Sequence, residues 1–147
     1  MIKFFVDGDP RAQPRARVYR TKTNKSIAVS APKDHPIWSW REAVTIEGKQ
    51  HRPDTPMDGP IALALEFGLR RPKSHYGTGK NAHSLKKNAP DWHTNIPDLD
   101  NLEKTIMDVL TQLSYWHDDR QVCIKNTSKK WARIPGVRTS INQIVNK

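Results

Sequence analysis

Asp98 and Asp100 stand two residues apart at the head of an apolar-periodic segment, Ile96-Pro-Asp-Leu-Asp-Asn-Leu-Glu-Lys-Thr-Ile-Met-Asp-Val-Leu-Thr-Gln-Leu113. Lys104 follows Asp100 by one helical turn. Two carboxylates that share a side suit a hard cation such as Mg²⁺, which keeps several waters and binds through few carboxylates plus substrate phosphate. Such an ion activates a water and offsets charge on a scissile phosphate, and a nearby lysine can hold that charge or orient the water.

Inside a helix, Asp98 and Asp100 would project about 200° apart. In an extended lead-in both project to one side. The segment is therefore predicted to turn helical just after Asp100, which with Glu103 resembles a capping arrangement. Lys104 would then reach back to the same end. The residues also fit a purely structural arrangement, in which Asp100 caps the helix, Asp98 sits in a Pro-Asp turn and Lys104 pairs with Asp108. Asp108 is expected in such a surface pair.

A second acidic group, Asp118-Asp119, follows at the start of a predicted strand. Adjacent carboxylates repel, and a divalent cation would relieve the repulsion. The connection after the helix is short, so the strand is expected to pack beside it and return these acids towards its neighbourhood. The residues alone leave that closure open.

The elements that must position these groups read as follows. Ile2–Val6 is a short strand, and Val18-Tyr19 with Ile27-Ala28-Val29 form a hairpin around Thr23-Asn24-Lys25. Pro36 opens a helix running to about Lys49, with Ile37, Trp40 and Val44 at helical spacing. Ile61–Leu69 alternates as a strand with one buried face. Leu102, Ile106, Val109, Leu110 and Leu113 give the acidic helix its core face. A strand runs from Val122 to about Lys129, and a last strand, Val137–Ile144, is expected to pair with it through Pro135-Gly136. Cys123, the one cysteine, alternates with apolar neighbours and is expected to be a small buried hydrophobe. No disulfide can form within the chain.

The net charge of +10 is unevenly spread. Residues 91–119 carry −6, leaving +16 for the rest. A basic body around an acidic cluster suits a polyanion bound over a cation site. Candidate phosphate contacts are Arg11, Arg15, Arg17, Arg70, Arg71, Lys73, Lys129 and Lys130. Trp131 is either a base-stacking residue or, preferably, a packing one. Residues 70–95 read as a long basic loop, expected to be partly disordered without DNA and to order against its backbone. His75, His83 and His93 lack zinc-ligand spacing. The apolar run in the first ten residues, broken by Asp7 and Asp9, is too short for a signal peptide and lacks a cleavage site, nothing approaches a membrane span, and cysteine usage fits the cytoplasm. At 147 residues one domain is expected.

The string P-D-L-D-N-L-x-K-x-x-x-D-x-L from Pro97 to Leu110, followed by W-x-D-D-x-Q-V from Trp116 to Val122, resembles the signature of the RusA family of Holliday-junction resolvases. The resemblance runs from about Ile61 to Ile144 and extends weakly to the first strand and helix; the 70–95 loop is longer than is usual in the family. It implies that Asp98, Asp100 and Asp119 bind Mg²⁺, that Lys104 is catalytic and that Asp118 supports the site. It also implies an α+β fold with two principal helices on a small mixed sheet, and a homodimer placing paired symmetric nicks across four-way DNA junctions. No organic cofactor is expected. A non-catalytic DNA-binding module is the rival expectation, with an RNA-binding protein third. Binding alone needs no acids at these positions, and they would weaken attraction to a polyanion.

Overall fold

A computed structural model describes residues 1–14, 17–29 and 31–145, with 17–19 and 27–29 described by their backbone only. The strands are β1 (Ile2–Asp7), β2 (Arg17–Arg20), β3 (Ser26–Val29), β4 (Ile61–Arg70), β5 (Val122–Ala132) and β6 (Gly136–Gln143). The helices are α1 (Pro36–His51) and α2 (Leu99–Gln112). The fold is α+β, as expected: a four-stranded mixed sheet ordered β1-β6-β4-β5, with the β2-β3 hairpin apart from it.

The alternation in β4 works as the sequence predicts. Ile61, Leu63, Leu65, Phe67 and Leu69 are buried on one face, joined by Phe4 and Val6 of β1 and Val137 and Ile141 of β6. Against that face lie Ile37, Trp40 and Val44 of α1 and Leu102, Ile106, Val109 and Leu110 of α2. The His35 ring caps α1 by accepting the Ile37 N–H at 3.0 Å, just ahead of Pro36.

Two expectations about the sheet need correction. β6 does not pair with β5; it lies between β1 and β4, antiparallel to both, whereas β5 runs parallel to β4 on the other side. The chain leaves β5 and passes the end of β4 at Gly68. A Cβ there would lie 2.8 Å from that of Ala132, so only glycine lets the backbones pass. Cys123 is exposed, because β5 is the outer strand.

The way α2 ends matters for the site. Ser114 is left-handed (φ 62°), its N–H bonds to Thr111 O at 3.0 Å, and the Tyr115 N–H bonds to Leu110 O at 3.1 Å. This is a Schellman stop made by serine where glycine is usual. Trp116 then donates to Thr111 Oγ1 (2.8 Å), and Tyr115 donates to Gly48 O of α1 (2.5 Å). β5 starts close by and runs back along α2, so helix and strand are antiparallel.

Candidate active site

Asp98 is the N-cap residue of α2, in extended conformation, and its carboxylate makes no capping hydrogen bond. The helix therefore starts earlier than the sequence predicts, and Asp100 lies in its first turn. The expected capping partnership of Asp100 with Glu103 is not formed. Asp98 and Asp100 are both exposed at the helix N-terminus, where unpaired N–H groups favour negative charge. Lys104 is exposed one turn on, at the spacing that brings side chains onto one face. No ion pair joins it to Asp108.

Glu103 does something the sequence did not reveal. It faces β5 and is 8% exposed; Lys125 pairs with it at 2.5 Å and Thr127 Oγ1 donates to it at 3.3 Å. The signal was available in the register: Lys125 and Thr127 alternate on the strand face that meets the helix. A buried acid so partnered fastens α2 to β5, and removal of its cation would be costly.

Lys129, expected on DNA, lies under the N-terminus of α2. Its ammonium donates to Asn95 O (2.6 Å), Pro97 O (2.9 Å) and His93 Nδ1 (3.2 Å). All three donors are used, so none is left for phosphate. Burial, and then the Lys129 charge, lowers the His93 pKa below its ordinary value. Arg71 is likewise committed: its side chain is 7% exposed and donates to Pro90 O at 2.7 Å. Trp131 packs between His75 and His93, with ring centroids 4.9 and 4.4 Å away.

These groups fix the 70–95 segment more firmly than its composition suggests. Single turns at Lys73–His75 and Gly79–Asn81 and a Tyr76–Leu85 bridge shape it, and Arg133 donates to His83 O at 2.8 Å. Of the other predicted DNA contacts, Arg11 and Lys73 are exposed, Arg70 pairs with Asp9 at 3.1 Å, and Lys130 lies 4.4 Å over the Trp92 ring. Arg15 lies outside the described residues, and the side chain of Arg17 is not described. The sequence also overlooked Trp92, which is 57% exposed at the same end of the molecule as Asp98.

Asp119 opens a single 3₁₀ turn, Asp119–Gln121, and is exposed. Asp118 caps that turn by accepting the Arg120 N–H at 2.9 Å, while Gln121 reaches back to the N–H groups of His117 and Asp118. The Arg120 N–H bond holds the Asp118 carboxyl below its usual pKa. Gln121 also donates to Met57 O and Gly59 O, both at 3.0 Å.

This turn lies at the C-terminal end of α2. The expected return of Asp119 to Asp98 and Asp100 does not occur within one chain, because a helix of this length separates its ends by about 21 Å. The short connection that was expected to bring the acids together is what keeps them apart. Among the described residues no three His, Cys, Asp or Glu side chains form a metal-binding group. Asp98 and Asp100 suit a hard cation that keeps its waters; the three-carboxylate set does not assemble in a single copy.

The family model for Endodeoxyribonuclease RusA matches residues 7–142. The chain belongs to the RusA endodeoxyribonuclease family. An uncharacterized protein of Bacillus subtilis (strain 168), YqaN, is 31% identical over 143 residues, covering 97% of this chain and 96% of YqaN. A crossover junction endodeoxyribonuclease, rusA of Lactococcus phage r1t, is 49% identical over 37 residues, or 25% of this chain and 28% of the phage protein. As a RusA-family member the chain is an endodeoxyribonuclease of the Holliday-junction-resolving class, not a bare DNA-binding module. No helix of the described residues is long and apolar enough to cross a membrane.

Proposed function

We propose that this RusA-family nuclease resolves four-way DNA junctions in a Mg²⁺-dependent reaction, acting as a homodimer that nicks two strands symmetrically, and that Asp98, Asp100 and Asp119 hold the metal. The observation that carries the reading is the N-terminal end of α2, where Asp98 leaves its capping role unfilled beside Asp100, with Lys104 one turn along. The metal, when bound, supplies an activated water and neutralises charge on the phosphate.

The chain's own groups do the rest. Asp98 and Asp100 offer oxygen donors from the end of a helix that is fastened to the sheet through Glu103 and Lys125. Lys104 stabilises the charge that builds on the scissile phosphate. Asp118 shapes the turn that presents Asp119 and has no direct contact with substrate. Arg11, Arg70, Lys73 and Lys130 bind DNA backbone, and Trp92 offers a face on which an unpaired base at the branch point can stack. Localisation in the cytoplasm, with the DNA, follows from this reading.

The test is a labelled synthetic four-way junction incubated with and without Mg²⁺, with nicks mapped on every strand. Paired nicks at symmetric positions, dependent on the metal, are expected. Equal cutting of linear duplex would remove the junction assignment.

A further inference from the structure

We propose that Lys129 is a positioning residue for the metal-binding acids: gripping residues 93–97 from the sheet, it sets the angle at which Asp98 and Asp100 leave the head of α2. The inference rests on the metal-site reading above and adds to it a residue that touches neither metal nor DNA.

The chain enters α2 through Asn95-Ile-Pro-Asp98, which belongs to no strand or helix. Such a segment keeps its direction where its carbonyls find donors. Half-buried Lys129 supplies them, donating to Asn95 O at 2.6 Å and to Pro97 O at 2.9 Å. Its third proton goes to His93 Nδ1 at 3.2 Å. An ammonium has donors only, so the ring must accept there. Burial, and then the Lys129 charge, hold the His93 pKa below its ordinary value, which favours that neutral ring. Trp131, two residues along the same strand, backs His93 with its ring 4.4 Å away.

The Pro97 carbonyl is the decisive contact. It lies in the peptide plane that contains the Asp98 nitrogen, so fixing its oxygen fixes the plane from which Asp98 departs. Asp98 is extended (φ −67°, ψ 147°) and its carboxylate makes no cap. The lead-in is held from β5 instead of by that cap, and Asp98 keeps its oxygens for a ligand.

A second anchor lies further along the helix. Lys125, on the same face of β5, pairs with Glu103 of α2. The two lysines tie lead-in and helix to one strand, itself paired with β4 over its length. Groups that hold metal ligands in this way contribute about 10–100-fold to metal affinity or rate.

The test compares wild type with Lys129→Met, which keeps side-chain length and removes the donors. Urea unfolding first establishes that the variant is folded. Mn²⁺ affinity by calorimetry and kcat for junction cutting should each fall about 10–100-fold, while metal-free junction binding and its salt dependence stay as in wild type. A lysine on phosphate gives the opposite pattern: weaker junction binding, a salt slope smaller by about one and unchanged Mn²⁺ affinity. That pattern, or wild-type Mn²⁺ affinity and kcat, would overturn the proposal.

If Lys129→Met does not fold, Lys129→Arg takes its place, since a planar guanidinium keeps the charge but cannot meet three converging acceptors. Reduced Mn²⁺ affinity and kcat in that variant support the positioning role, and wild-type values for both overturn it. Asp100→Asn, measured alongside, separates the two readings. Should it keep Mn²⁺ binding and nicking, the metal site itself falls; should it lose them while the Lys129 variant does not, only the role of Lys129 falls.

Discussion

The two ends of α2 have been built for different purposes. At the C-terminal end the polar groups around exposed Asp119 are tied up: Ser114 and Tyr115 satisfy the last carbonyls, Trp116 and Tyr115 bond to Thr111 and Gly48, and Asp118 with Gln121 closes the next turn. At the N-terminal end the carboxylates of Asp98 and Asp100 and the ammonium of Lys104 are left exposed, and Asp98 passes up a cap worth about 1 kcal/mol. On the proposed function, the contrast marks where stability has been forgone for chemistry. The same residue type, aspartate, is structural at 118 and uncommitted at 98.

Substitutions at the open end should remove activity without unfolding the chain. Asp100→Asn is expected to lower junction cutting by at least about a hundredfold while binding stays equal or tightens, since a charge repelling DNA is lost. Nicking gels and gel-shift titrations on one preparation read both; retained nicking would contradict the assignment. Lys104→Ala should lose cutting to a similar degree yet keep Mn²⁺ affinity, measured by calorimetry. A parallel loss of both would make it structural.

Substitutions away from that end should cost stability first. Gly68→Ala forces Ala132 away from β4 and should destabilise by about 1–3 kcal/mol in urea unfolding. Tyr115 offers a pH test, because burial pushes its hydroxyl pKa up to about 12 from an ordinary 10.0. A raised folded-state pKa stabilises fully below the unfolded value and is lost as pH rises, so stability should fall between pH 10 and 12 and Tyr115→Phe should flatten that fall. The smallest effect expected is a gain: Ser114→Gly relieves a left-handed serine and should add about 1 kcal/mol. An unchanged melting curve would show that the serine is held there at no cost.

Much of this was legible in the sequence, for reasons that differ by region. The alternation of β4 and the core faces of α1 and α2 came through because burial imposes a period. The shared location of Asp98, Asp100 and Lys104 at the head of α2 came through because they sit close together in the chain. Strand order did not: passage over β4 depends on a close approach at Gly68, which no local pattern encodes. The fates of Arg71 and Lys129 were hidden too, since a basic residue in a basic loop looks the same whether it meets phosphate or a backbone carbonyl. The position of Asp119 follows from the short connection, which holds the turn before β5 at the C-terminal end of α2 whichever way the strand runs.

The 70–95 segment is clamped at its two roots, by Arg71 on Pro90 O and by Lys129 on Asn95 O and Pro97 O. Between those anchors the chain is held by its own turns and by Arg133 on His83 O, contacts separate from those that place Asp98. Under the proposed function, the loop's reach towards DNA and the placement of the acids are held by different contacts, so one can change in relatives while the other keeps its setting.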